Sequence, residues 1–213
     1  MLVDDVALTE TRQEFDRQVD TLVSKGYPQH AGMSEEAFRS HLEPLATLAP
    51  APLTTAADRI PFVIVVTTAL VPTSDAVAAI DWRGRSGFTH LAADELARFQ
   101  PIEDIDVPES LAYLALDLDT GRDTLNLPPN DAMKWIVGAG RSPITIDEGV
   151  AMLTHFPDLL RTHNCFSMLG SRCGDRRVTA FWISAGNPRL GWCWAGAPHT
   201  WLGSATCGGR LPG

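Results

Sequence analysis

The sequence predicts an α+β fold in which N-terminal helices and a mixed sheet are followed by a C-terminal antiparallel meander rich in glycine and tryptophan. Apolar residues recur at helical spacing near the N-terminus, two strand-like apolar runs follow, and short apolar runs alternate with glycine turns at the C-terminus. Because helices and strands do not alternate regularly, this class is favoured over a doubly wound sheet. We expect residues 1–213 to form one domain, a size at which a large core can be buried.

The N-terminal part predicts two helices. The first is expected over residues 10–25, where apolar side chains recur on one face and Gly26 with Pro28 supplies a stop signal. The second begins at Ser34, a good N-cap residue followed by two acids, and Pro44 obscures its end. Residues 50–58, rich in Ala, Pro and Thr, predict a connecting loop.

The middle of the chain predicts two strands and two short helices. Residues 60–68 are rich in β-branched side chains, which is typical of a central strand covered on both faces. Residues 112–118 alternate and predict the second strand. Short helices are expected at 73–80 and 131–137, and a loop at 83–89.

The clearest local signal is a capping box at Thr145 and Glu148. The threonine hydroxyl accepts from the backbone N–H of Glu148, and the carboxylate accepts from the N–H of Thr145. A helix should begin there and end before Pro157. Beyond it, the meander is predicted from four short apolar runs, at 165–169, 178–184, 190–194 and 200–204.

Charge is distributed unevenly along the chain. The net charge is −9, yet residues 161–213 hold six arginines against Asp175 alone, which makes this basic part +5 and residues 1–160 an acidic part of −14. The two parts should attract each other. The overall negative charge argues against nucleic-acid binding, and no apolar run is long enough for a membrane span. With acids at the N-terminus instead of a signal sequence, and with few cysteines, we expect a cytoplasmic protein.

The C-terminal segments LGSRCGDRRV (169–178), LGWCWAG (190–196) and PHTWLG (198–203) resemble an uncharacterised bacterial family, a domain of unknown function common in high-GC Gram-positive bacteria. The stretch PITIDEG (143–149) and the segment KGYP (25–28) are similar to the same family. This resemblance implies no activity, cofactor or catalytic residue.

Familiar binding motifs are absent from the sequence. It has neither a phosphate-binding P-loop nor a dinucleotide-binding fingerprint nor a nucleophile elbow, and we expect no cofactor. The four cysteines lack the close pairs of structural zinc sites, so we expect no metal and favour buried thiols.

Two groups of residues are candidates for chemistry. On the capped helix, Glu148 and His155 are two turns apart on one face and could flank a small substrate, although capping alone would explain the glutamate. The second group is the C-terminal cluster of aromatic, arginine and histidine side chains: Trp192, Trp194, Trp201, Arg172, Arg176, Arg177 and His199.

Within the C-terminal cluster, Trp192 and Trp194 must point to one face of a strand, because side chains alternate. They could form the floor of a site in which an arginine binds a small anionic molecule and His199, at a loop tip, is the general acid or base. Two alternatives stay open: the tryptophans fill the core of the meander, or the same surface docks a protein partner. The sequence does not decide whether the protein is an enzyme.

Overall fold

The computed structural model describes residues 2–50 and 59–213 and has the predicted α+β class. The α-helices in these residues are α1 Leu2–Ser24, α2 Tyr27–His30, α3 Glu35–Leu42, α4 Thr73–Ala78, α5 Ala93–Leu96, α6 Pro129–Gly138 and α7 Ile146–His155. Short 3-10 helices lie at Glu43–Thr47, Arg122–Thr124 and Pro157–Leu159. None of the described helices is both long enough and apolar enough to cross a membrane.

The described strands are mostly short. They are β1 Arg59–Val66, β2 Asp81–Trp82, β3 Arg85–Ser86, β4 Phe88–Thr89, β5 Gln100–Pro101, β6 Ala112–Asp119, β7 Ser142–Pro143, β8 Cys165–Met168, β9 Ser171–Arg172, β10 Arg177–Ser184, β11 Asn187–Trp194, β12 Leu202–Ser204, β13 Thr206–Cys207 and β14 Gly209–Pro212.

Most predicted elements are confirmed within a few residues of their bounds, and α1 begins eight residues before its prediction. Ser34 caps α3 as expected, since its hydroxyl accepts from the N–H of Ala37. Pro44 does not interrupt the helical path, because the chain continues from α3 as a 3-10 helix that contains it. The loop predicted at 83–89 contains the short strands β3 and β4 instead. The loop predicted at 50–58 lies, apart from Pro50, outside the described residues.

The first sheet has the order β1-β6-β13-β7, with β14 also paired to β6. The prediction that β1 is a central strand is therefore wrong: β6 is central, and β1 pairs with it alone among the described strands. β1 nevertheless has the apolar composition of a central strand because both its faces are buried, with Val63, Ile64 and Val65 fully covered.

Side chains occupy the free edge of β1. The amide of Gln18, from α1, donates to the carbonyl of Phe62 at 3.1 Å and accepts from the N–H of Ile64 at 2.8 Å. The imidazole Nε2 of His155, at the end of α7, lies 3.1 Å from the carbonyl of Ile64, and neutral histidine donates there. These contacts satisfy backbone groups that a buried sheet edge would otherwise leave without partners.

The second sheet has the order β12-β8-β10-β11-β4. It differs from the predicted antiparallel meander in its two edge strands. Strands β8, β10 and β11 are antiparallel as expected, whereas β12 and β4 join its two edges in parallel. The chain then leaves this sheet at Ala205, and β13 and β14 complete the first sheet. Both sheets thus combine strands from the acidic and the basic part of the chain.

Helix α7 lies in the core between these elements. The predicted capping box is present, and nine of the ten residues of α7 are buried. Gly149 permits this packing, because a Cβ there would lie 2.1 Å from the sulfur of Met168. The first turn of α7 lies beside the loop that follows β1, where the N–H of Thr68 donates to Asp147.

Candidate functional site

A partly enclosed cavity of about 270 Å³ lies at the N-terminal turn of α7. It is bordered by the loop after β1, by α5 and β5, and by the start of β9. We call it the α7 cavity; its lining is Thr68, Pro72, Thr73, Ser74, Ala93, Leu96, Ala97, Phe99, Gln100, Pro101, Val107, Thr145, Ile146, Asp147 and Ser171. Its size is at the lower limit of ligand pockets, which favours a small occupant.

Asp147 is the one charged side chain in this lining. The capping box turns Glu148 inward, so that the preceding carboxylate faces the cavity, where Oδ2 of Asp147 accepts from the N–H of Thr68 at 3.1 Å. The pKa of Asp147 is raised to about 6, chiefly because burial disfavours the charged form and also because of the neighbouring charge of Glu148, while the N–H of Thr68 acts in the opposite direction. A carboxyl group with a perturbed pKa in a cavity is a candidate proton acceptor or cation ligand.

Hydroxyl groups line the same cavity. Thr73 donates its hydroxyl proton to the oxygen of Thr68 at 3.0 Å, and the hydroxyl of Ser171 accepts from the N–H of Ile146 at 3.0 Å. Ser171 is thereby fixed against the first turn of α7. The cavity therefore presents neutral hydrogen-bonding groups and one negative charge, beside apolar walls such as Phe99.

Glu148, a predicted catalytic residue, is buried behind the cavity and has structural partners. Arg210 donates to both of its carboxylate oxygens, with Nη2 3.0 Å from Oε2, and the hydroxyl of Tyr113 donates to Oε1 at 3.0 Å. The N–H of Thr145 completes the set at 2.7 Å. His155, its proposed companion, is buried against Ile64. These contacts support the capping alternative over a substrate contact.

The structure divides the C-terminal cluster into separate groups. The rings of Trp192 and Trp194 meet edge to face, with centroids 4.8 Å apart, as the strand alternation predicts. The guanidinium of Arg177 lies 5.5 Å from the Trp192 ring centroid and forms ion pairs with Glu95 and Asp175. Arg177 is therefore already neutralised by two carboxylates.

The remaining arginines of the cluster differ in their surroundings. Arg172 donates to the backbone carbonyls of Arg177 and Asp175, at 3.1 and 3.3 Å. Arg176 is exposed and borders an open depression of about 490 Å³ together with Trp194, Gly196 and Ala197. The indole of Trp194 is 53% exposed, so it does not fill the core.

His199 lies in the loop between β11 and β12, partly exposed, with its ring 5.2 Å from that of Trp201. Its carbonyl accepts from the N–H of Asn126 at 3.0 Å. Among the described residues no ring contact joins His199 and Trp201 to Trp192 and Trp194. The C-terminal cluster is therefore divided into a pair around Trp192 and Trp194 and a pair formed by His199 and Trp201, and the structure does not join them in one pocket.

The cysteines are not gathered either. Cys165 and Cys207 are buried, and Cys173 and Cys193 are partly buried. Within residues 2–50 and 59–213, no group of three or more His, Cys, Asp or Glu side chains is placed to hold a metal ion.

Sequence reasoning missed Asp147, although the signal was present. The TIDE motif contains two acids, and a capping box assigns the second of them to the backbone of the N-cap residue. The first acid, Asp147, is then the one left to face outward at the helix N-terminus. What the sequence could not supply is the cavity, because α5, β5 and β9 come from distant parts of the chain.

A comparison with known families matches residues 21–213 to the model described as "Family of unknown function (DUF5701)". No curated protein and no solved structure matches the chain. The match covers the α7 cavity and the C-terminal cluster, and it assigns no role to either.

Proposed function

We propose that this chain, which belongs to the DUF5701 family of unknown function, binds a small organic cation in the α7 cavity, with Asp147 as the ionic partner. The observation that carries the proposal is the lining itself: one carboxylate, several neutral hydrogen-bonding groups and no basic side chain. A cationic ligand would neutralise Asp147, whose charge is otherwise disfavoured by burial.

The cavity favours a cation over the small anionic molecule expected from the sequence. An anion would approach an uncompensated carboxylate in a partly enclosed space, which is repulsive. A primary amine suits the lining, since an ammonium group has three donors and the hydroxyls of Thr73 and Ser74 can accept alongside Asp147. Apolar residues such as Leu96 and Phe99 would cover a short alkyl chain.

Thermal-shift measurements with matched pairs of small primary amines and alcohols test this proposal. We expect the amines to raise the melting temperature more than the alcohols of equal length, and Asp147→Asn to abolish that difference. Asp158→Asn is the control, because this exposed carboxylate pairs with Arg83 on the surface and lies outside the lining of the α7 cavity. Equal responses to amines and alcohols, or an unchanged response in Asp147→Asn, would contradict the proposal.

A protein-docking role for the surface around Trp194 and Arg176 is a second candidate. It is supported by the exposure of both side chains and by the open shape of the depression, which suits a partner surface better than an enclosed small ligand. Affinity capture with the tagged protein should recover a partner that is lost with Trp194→Ser and retained with Leu48→Ser, a matched change at another exposed apolar residue. Identical captures from both variants would remove this candidate.

A further inference from the structure

A second cavity, of about 250 Å³, lies at the opposite end of β1 from the α7 cavity. Arg59 begins β1 and Thr68 follows its end, so along an extended strand the two sites are separated by roughly 30 Å. The lining of this second cavity is Arg59, Asp119, Gly121, Asp123, Trp135, Arg141 and Thr206. We call it the β1 entry cavity.

An unusual backbone arrangement positions Arg141, one of the residues that line the β1 entry cavity. The backbone N–H and C=O groups of the odd-numbered residues of β1 point toward β6, because those of the even-numbered Phe62 and Ile64 point to the free edge and bond to Gln18. The register pairs Ile60 with Leu118 and Phe62 with Leu116 and leaves out the position between them, where Pro61 would lie opposite Asp117 and has no N–H to donate. Asp117 has a φ of +48°, and its carbonyl accepts from Arg141 instead.

Arg141 is held in place by these bonds. It also donates to the carboxylate of Asp117 at 2.6 Å and to the hydroxyl of Thr206 at 2.7 Å, and its side chain is only 13% exposed. Asp117 is the one strand residue with positive φ among the described non-glycine residues. Such strain persists where the surroundings enforce it, and it is concentrated at functional sites.

The rim of the cavity carries groups of both charges. Arg59 is about half exposed and donates to Asp117 at 3.2 Å, while Asp119 lies 3.8 Å from its Nε. A guanidinium has five N–H donors, so Arg59 can bind a further acceptor. Asp123 is exposed on the same rim and can accept from a cation.

Trp135, from α6, supplies an apolar wall. Its side chain is 41% exposed although it is among the largest in the chain. An exposed indole beside charged groups is a typical stacking surface for a ligand with an apolar or aromatic part.

We propose that the β1 entry cavity binds a small zwitterion, an α-amino acid with an apolar side chain, whose carboxylate contacts Arg59 and whose ammonium group contacts Asp123. A simple anion would be repelled by the carboxylates of Asp119 and Asp123, and a simple cation by the two arginines. A zwitterion meets both signs at once, and its side chain lies against Trp135.

Binding measurements with three matched probes test the zwitterion site. Isothermal titration or ligand-detected NMR compares L-phenylalanine with L-phenylalaninamide, which lacks the carboxylate charge, and with 3-phenylpropionate, which lacks the ammonium group. Since a partly exposed ion pair contributes up to about 1 kcal/mol, we expect each analogue to bind about five-fold more weakly than phenylalanine.

Variants assign each charge to its residue. Arg59→Gln should weaken binding of phenylalanine and phenylpropionate and spare the amide, whereas Asp123→Asn should weaken phenylalanine and the amide and spare phenylpropionate. Trp135→Ser should weaken all three probes, and Arg98→Gln, at an exposed arginine outside the cavity, should weaken none.

The zwitterion site is contradicted if no probe binds below about 10 mM, or if either analogue binds as tightly as phenylalanine. It is also contradicted if Asp123→Asn, at an exposed position that leaves the fold intact, changes no affinity. Phenylalaninamide is a primary amine and is also an expected ligand of the α7 cavity, so all three probes are measured in the Asp147→Asn background, which keeps this test separate from that of the α7 cavity.

Discussion

Arg210 in strand β14 donates to both carboxylate oxygens of Glu148, the residue that closes the capping box of α7. Both side chains are buried, with 5% and 0% exposure. This ion pair joins the last strand of the chain to the central helix and fixes the turn that carries Asp147.

Removing one partner of this ion pair should strongly destabilise the fold. Arg210→Met leaves a buried carboxylate without its counter-charge, and we expect it to lower the free energy of unfolding by about 3–5 kcal/mol. In urea denaturation, the double variant Arg210→Met, Glu148→Gln should be more stable than Arg210→Met alone, because the uncompensated charge is gone. A loss below about 1 kcal/mol in Arg210→Met would show that the pair contributes little to the fold.

Gln18 should stabilise the fold through the edge of β1. Gln18→Ala leaves the carbonyl of Phe62 and the N–H of Ile64 without partners, and we expect a loss of about 2–4 kcal/mol, since each such buried group costs about 1–3 kcal/mol. Gln13→Ala, on the exposed side of the same helix, should change stability by less than about 0.5 kcal/mol. Chemical denaturation of the two variants side by side checks this, and equal losses would contradict it.

His155 should make the fold sensitive to acid. Burial lowers the pKa of its imidazole to about 3, below the ordinary value of 6.5. Between these two pH values the unfolded chain binds a proton at His155 and the folded chain does not. Its contribution to stability is complete above pH 6.5 and is lost as the pH falls from 6.5 toward 3, by up to about 1.4 kcal/mol per pH unit.

The matched variants for this effect are His155→Gln and His163→Gln. Glutamine at 155 can still donate to the carbonyl of Ile64 but does not titrate, so its unfolding free energy should depend less steeply on pH than that of the parent. His163 is exposed, and its variant should follow the parent curve. Parallel curves for all three proteins between pH 7 and 4 would exclude His155 as the source.

Asp147 should have the opposite effect on stability, because its ionisation should destabilise the fold. Its pKa of about 6 in the fold exceeds the ordinary 3.8, so the folded chain holds the proton more tightly and ionisation destabilises it. Asp147→Asn should therefore raise the free energy of unfolding above pH 7 by about 1–3 kcal/mol, a gain that disappears as the pH falls from 6 through 3.8. Stability curves of the parent and Asp147→Asn check the sign, and a destabilised variant at pH 8 would contradict it.

Local signals allowed much of the fold to be predicted. The capping box of Thr145 and Glu148 and the N-cap at Ser34 depend on residues three apart, and both are present. The position of β1 at a sheet edge could not be inferred, because its apolar composition reflects burial of both faces and not the number of neighbouring strands. The satisfaction of that edge by Gln18 and His155 depends on helices far away in sequence.

The candidate site was less predictable than the fold. Aromatic and arginine side chains drew attention to Trp192 and Arg177, which lie together but are already engaged with each other and with Glu95. The sequence also favoured Glu148 over Asp147, because a carboxylate and a histidine two turns apart suggest acid–base chemistry. Which of two adjacent acids faces a cavity is decided by packing between distant segments, and composition and spacing do not contain that information.

The most direct test of the α7 cavity follows the backbone amide of Thr68, which donates to Asp147, by NMR during titration with n-butylamine. Butylammonium keeps its charge across the range, whereas Asp147 ionises as the pH rises through about 6. We predict that the amine shifts the Thr68 resonance and binds about ten-fold more tightly at pH 8 than at pH 5, and that n-butanol shows no such dependence. A Thr68 resonance that does not respond to the amine, or an affinity that is equal at both pH values, would contradict the assignment of Asp147 as the ligand-binding carboxylate.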